Sequence, residues 1–244
     1  MVSTLRSAGR HLGAASLAGI IAGVLVGGLL GRIVMRVAGA TSRPELAGSL
    51  TSNGNRLGDI TFTGTLALIL FVGVIAGIGG GVLFASAEPW LRPRRWKGLT
   101  FGAALLVALG FSVIDPANID FERFGITPLN VVLFAALFIA FGLAIAWLFD
   151  RIRRAIDGPG PFATALTIIC WLSALAAGAI GTLSFLSFGG LGEPLPALLF
   201  AVVVIVPPVV LWRHLPRRIA YAAFAVPVVV GGLRTVDGLR QLLD

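Results

Sequence analysis

Two arginines, Arg32 and Arg36, stand one helical turn apart at the end of an almost unbroken apolar run that begins at Leu12. Residues at that spacing project from one side of a helix. Guanidinium groups placed so are suited to gripping carboxylates or phosphates. The chain offers carboxylates in the segment DPANIDFERFG, where Asp115, Asp120 and Glu122 surround Asn118. Two chemistries compete. Arg32 and Arg36 either dock onto that loop, as clamps or as the base of an anion-binding pocket, or reach out to lipid phosphates while their stems lie along apolar surface. The oxygens of Asp115, Asn118 and Asp120 also raise a hard cation. They fall at positions one, four and six, whereas an EF-hand loop needs ligands at one, three and five with glycine at six, so no metal is expected.

Other reactive groupings are missing from the sequence. Gly79-Gly80-Gly81 has no following Lys-Ser or Lys-Thr, and there is no HExxH pattern or nucleophile–base constellation. Cys170 is the single cysteine, which excludes an internal disulfide and a cysteine-built metal site. His11 and His214 fall at the same predicted interface, so they cannot form a haem pair across a bilayer. Asn130, Thr167, Ser173, Thr182 and Ser184 are the main polar groups within apolar runs, and such groups usually bond to backbone or to a neighbouring helix. The expectation is a protein without enzymatic activity and without a cofactor.

The elements that position these residues are membrane helices. Of the 244 residues, 57% are hydrophobic and 12% charged, half the charge of a soluble domain, with mean hydropathy +0.96. Apolar runs long enough to cross a bilayer follow one another. The expected spans are 12–38, 61–87, 98–114, 127–149, 162–188, 195–212 and 219–233. The fold class is therefore all-α, a polytopic transmembrane helix bundle forming one integral membrane domain over 1–244. Seven spans are expected, or six if the last segment, short and carrying Pro227, is re-entrant. The first run is read as an uncleaved helix, because it exceeds a signal-peptide core of about 7 to 15 residues and arginines separate it from Ala38-Gly39-Ala40.

Charge orients the spans. Arg6 and Arg10, the cluster Arg92 to Lys97, Arg151 to Arg154 and Arg213 to Arg218 all lie on one side, twelve of the nineteen basic residues. That side is cytoplasmic by the positive-inside rule. Eight of the eleven acidic residues occupy the other. Trp90, Trp96, Trp147 and Trp212 fall at the cytoplasmic interface, where indoles prefer to sit. The net charge of +8 is thus an orientation signal, with no nucleic-acid partner implied.

Glycine marks the packing faces. Gly19, Gly23, Gly27 and Gly31 recur every four residues in the first span, and Gly73, Gly77 and Gly81 do so in the second. Stripes like these let helix backbones approach closely. The expectation is that spans one and two, adjacent in sequence, pack stripe against stripe; the alternative is a homo-oligomer surface. Pro207-Pro208 and Pro227 break the backbone ladder in spans six and seven; transporters use such breaks to expose carbonyls to substrate, but the expectation is a kink whose freed carbonyl is satisfied locally.

RIVMRVAGATS, GDITFTGTLALILFVG, RRWKGLTFG and DPANIDF together resemble a group of uncharacterised multi-pass membrane proteins of high-GC Gram-positive bacteria. The similarity covers roughly Gly31 to Arg151. It implies a bacterial plasma membrane and carries no activity. The expected function is a non-enzymatic membrane component, an interaction or accessory protein with the lipid bilayer, a membrane protein or a second copy as partner. The alternative is a transporter or channel for a small neutral or anionic solute.

Overall fold

The computed structural model describes residues 2–42, 61–91, 94–112, 125–187 and 217–243. Among the described residues every regular element is helical. Helix α1 joins three segments, Val2–Ala22, Gly23–Leu30 and Gly31–Ala40, the middle one wound as a π-helix. Helix α2 repeats the pattern with Phe62–Leu68, a π-helical Ile69–Ala76 and Gly77–Ala87. It begins where Thr61 caps it, the side-chain oxygen accepting from the Gly64 N–H at 3.2 Å. Helix α3 is Lys97–Leu109, with 3-10 turns Arg94–Trp96 and Gly110–Ser112 at its ends. Helix α4 is Thr127–Ile156, opened by Pro128 in its first turn, where no N–H is needed. Helices α5, Pro161–Ser187, and α6, Arg217–Leu243, complete the described chain.

Among the described residues three helices are long and apolar enough to cross a membrane: Ser7–Ala40 within α1, Phe62–Trp90 within α2 and its closing turn, and α4. Helices α1, α4 and α6 outrun the apolar runs that announce them. Helix α1 starts ten residues before Leu12, and α4 carries the arginine-rich segment to Ile156. Helix α6 extends over 27 residues with Pro227 in its interior, well past 219–233. Hydropathy marks where the apolar run stops, whereas Arg, Gln and Leu continue a helix readily in water. The expected span 195–212 lies outside the described residues.

Helix α1 is the axis of the assembly and packs against α2, α4 and α5. Helix α3 lies against α4, and α6 against α3. The α1–α2 seam is built on the two glycine stripes, which face each other in antiparallel order. A Cβ on Gly77 would lie 2.6 Å from the Gly19 carbonyl oxygen, one on Gly81 2.5 Å from that of Ala15, and one on Gly73 3.1 Å from the Val24 Cα. Gly19 and Gly23 meet the Gly77 and Gly73 carbonyls in return, and Gly27 meets the Val72 side chain. Gly31 is looser, with Leu68 in ordinary contact at 3.7 Å. A second crossing joins α3 to α4, where Gly98 and Gly102 lie against the Gly142 and Phe138 backbone. Apart from these crossings, the core sets three phenylalanines among alanine and aliphatic side chains. Phe84, Phe101 and Phe149 meet edge to face, at 5.1 Å between the first two rings and 5.3 Å between Phe84 and Phe149, over Ala14, Ala18 and Ile145.

The seam makes two neighbouring glycines unequal. Gly77→Ala must push backbone apart and is expected to cost ~1–3 kcal/mol. Nothing lies within 4 Å of a Cβ on Gly79, so Gly79→Ala should be neutral or stabilise by up to ~1 kcal/mol through helix propensity. Thermal unfolding in detergent compares them. Equal midpoints for the two variants would refute the seam.

Candidate functional site

Arg32 and Arg36 lie on the last segment of α1, the first half-buried and the second exposed. The Arg32 guanidinium rests on the first turn of α2, where a Cβ on Gly64 would lie 2.6 Å from Nη2. Its Nε is buried and makes no hydrogen bond to any described residue. Asp115, Asn118, Asp120 and Glu122 lie outside the described residues. The far end of their loop is nevertheless tied beside the arginines' helix. Gly125, at a φ of +75°, donates its N–H to the Ser42 Oγ at 2.7 Å, and that hydroxyl donates to the Ala38 carbonyl at 2.8 Å. At the same end Thr235 of α6 holds the last turn of α3, accepting from the Phe111 N–H at 3.0 Å and donating to the Val107 carbonyl at 3.4 Å.

The densest polar chemistry among the described residues stands at the other, arginine-rich end. Lys97 opens α3 with its side chain only 6% exposed. Its Nζ donates to Asp150 Oδ1 of α4 at 2.5 Å, and Glu88, at the end of α2, is 3.9 Å away. The ammonium also stands 5.6 Å from the centre of the Phe149 ring, and the Arg153 guanidinium 5.7 Å from it. His11 of α1 meets that ring edge-on at 5.0 Å, with Nε2 3.3 Å from the Ala85 carbonyl oxygen. Phe149 is thus the hub on which α1, α2, α3 and α4 converge. Arg10 adds a clasp, donating to the Ile156 carbonyl at 2.7 Å and to Asp157 Oδ1 at 2.9 Å. A cation on the last carbonyls of α4 opposes that helix's negative end.

Sequence reasoning treated Lys97 as one more orienting charge and missed this cluster. A signal was available. Eight acidic residues fall on the far side of the predicted topology, and the three that do not are Glu88, Asp150 and Asp157. These are the three carboxylates that meet Lys97 and Arg10. An acid out of place in a charge-sorted membrane chain is a candidate ion-pair partner.

Chemically, the cluster ties four helices together and neutralises a buried ammonium. Among the described residues no group of three or more His, Cys, Asp or Glu side chains could hold a metal ion. The stripe glycines of α1 and α2 are occupied within the chain, chiefly by each other's backbone.

Asp150 is 45% exposed against 6% for Lys97, so solvent screens the pair from one side. A cycle of Lys97→Met, Asp150→Asn and the double variant should therefore show a coupling of ~1–3 kcal/mol, between exposed and fully buried pairs. Asp150→Asn alone should be worse than the double variant, because it strands the ammonium. Additive losses in detergent unfolding would remove the pair from the account of this end.

Comparison of the chain with protein-family models, with curated proteins and with solved structures finds no match.

Proposed function

We propose that the chain is a multi-pass integral protein of a bacterial plasma membrane, with seven crossings, a cytoplasmic N-terminus and a non-enzymatic role as an accessory or interaction component. The observation that carries this reading is the separation of surfaces. Leu25, Leu29, Ile33, Leu70, Phe71, Val132 and Leu143 are exposed along the flanks of α1, α2 and α4, an apolar belt that water would not tolerate. The close polar contacts gather at the helix ends. Interiors joined by glycine-to-backbone contact suit a fixed scaffold better than a reaction chamber. Its partner is a second membrane protein or another copy.

Helix α6 supports the seventh crossing. At 27 residues it would reach ~40 Å against the ~30 Å of a hydrocarbon core, with 219–233 as its apolar part. It also runs in the same direction as α3, Gly231 meeting Ala108 and Thr235 meeting Phe111. A small-solute transporter is the second reading, favoured by the buried Nε of Arg32, which bonds to no described residue.

Orientation is testable in intact cells. Cysteines placed at Arg95, Arg153 and Arg217 should resist a membrane-impermeant thiol reagent, and one at Asn118 should react. Labelling at Arg153 without lysis would overturn the topology. A reporter active only in the cytoplasm, fused after Asp244, should be silent; activity there would reduce the count to six.

A further inference from the structure

Two tryptophans at the arginine-rich end are exposed, Trp96 at 50% and Trp147 at 58%, and each carries an arginine. The Arg95 guanidinium stands 5.8 Å from the Trp96 ring centre, and the Arg151 guanidinium 5.0 Å from that of Trp147. The two pairs belong to different helices, and residues adjacent to each pair in sequence are in contact. Lys97, next to Trp96, binds Asp150, next to Arg151, at 2.5 Å. One turn deeper, a Cβ on Gly98 would lie 3.0 Å from the Cβ of Ala146, next to Trp147.

These two arginines differ from Lys97 and Arg10. Lys97 is neutralised by Asp150 and Arg10 by Asp157, whereas Arg95 and Arg151 meet no carboxylate among the described residues. Stacking uses the flat face of a guanidinium and leaves its N–H edge free for a phosphate. Toward the bilayer the seam turns apolar, with Leu99 and Leu143 exposed one turn or less from the indoles. The order from outside inward is therefore cation edge, indole, aliphatic surface. It mirrors the order of phosphate, glycerol region and acyl chain in a phospholipid.

From this juxtaposition we infer that the α3–α4 seam binds the headgroup of an anionic phospholipid, with Arg95 and Arg151 on the phosphate and Leu99 and Leu143 along the chains. The site rests on the membrane reading above. It does not depend on which side of the membrane this end faces. Zwitterionic lipids fit less well, because their own ammonium must share the space with two guanidinium groups.

The test uses the full chain in nanodiscs of phosphatidylcholine, into which phosphatidylglycerol with brominated acyl chains is titrated while tryptophan fluorescence is read. Brominated phosphatidylglycerol should quench at lower mole fraction than brominated phosphatidylcholine, and Trp147→Phe should remove part of the quenched signal. Each of Arg95→Gln and Arg151→Gln should weaken the preference by about fivefold, the factor for one basic residue at an anionic surface. Arg234→Gln with Arg240→Gln, equal in charge but at the other end, should leave it unchanged. A preference that survives the Arg95/Arg151 double variant, or falls equally in the Arg234/Arg240 control, overturns the site alone. Failure of the wild-type chain to enter phosphatidylcholine discs overturns the membrane reading and the site with it.

Discussion

How near α1 can come to α2 sets the position of nearly everything else in the described chain. Lipid tails are as apolar as leucine, so helices in a bilayer gain little from hiding apolar surface against each other and depend on close van der Waals contact. Here the approach is limited by backbone itself, with the Gly19 carbonyl standing where a Gly77 side chain would be. With α2 drawn in, the opposite flank of α1 is left to α4 and α5, and Gly9 and Gly13 lie directly against Trp171 and the Cys170 backbone. The aromatic hub at Phe149 then forms where α1, α2, α3 and α4 arrive together.

The two ends of the bundle are closed by different chemistry. At the arginine-rich end, charge is buried and must be matched, and ammonium, carboxylate and ring do so across three helices. At the other end the ties among the described residues are hydroxyl-to-backbone bonds, Ser42 to Gly125 and Thr235 to Phe111. Such bonds need no counter-charge and no desolvated ion. The first kind of closure resists separation because it would strand a charge. The second is individually modest at ~1 kcal/mol per bond.

What the sequence made legible follows from how many explanations a pattern admits. Glycine every fourth residue through an apolar run has few, and the stripes of α1 and α2 were visible on spacing alone. Gly98 and Gly102 make the same kind of seam with Gly142, but one repeat of the spacing is too short to stand out in a chain with 32 glycines. The Lys97–Asp150 pair spans 53 residues, and no local pattern specifies a partner at that distance. The end of α6 was missed for another reason. Arg234, Asp237 and Arg240 end the apolar run but not the helix, since hydropathy reports the solvent and not the backbone. Arg32 stands out in the sequence as a charge at the end of an apolar run, while its neighbour in the structure, the backbone at Gly64, bears no charge that sequence reasoning could have sought.

The π-wound segments of α1 and α2 bear on those arginines through phase. In an α-helix a four-residue step overshoots a full turn by about 40°, and the wider π turn falls short of one. Placing Gly23 and Gly27 in π winding between α-helical Gly19 and Gly31 offsets the drift and keeps the stripe aimed at α2. The azimuth of every residue beyond Leu30 is inherited from that correction. Were the eight residues Gly23–Leu30 to rewind as α-helix, the remainder of α1 would swivel about its axis and carry the Arg32 guanidinium away from Gly64. The direction in which that charge points is thus encoded one to two turns upstream of it, in the pitch of the helix.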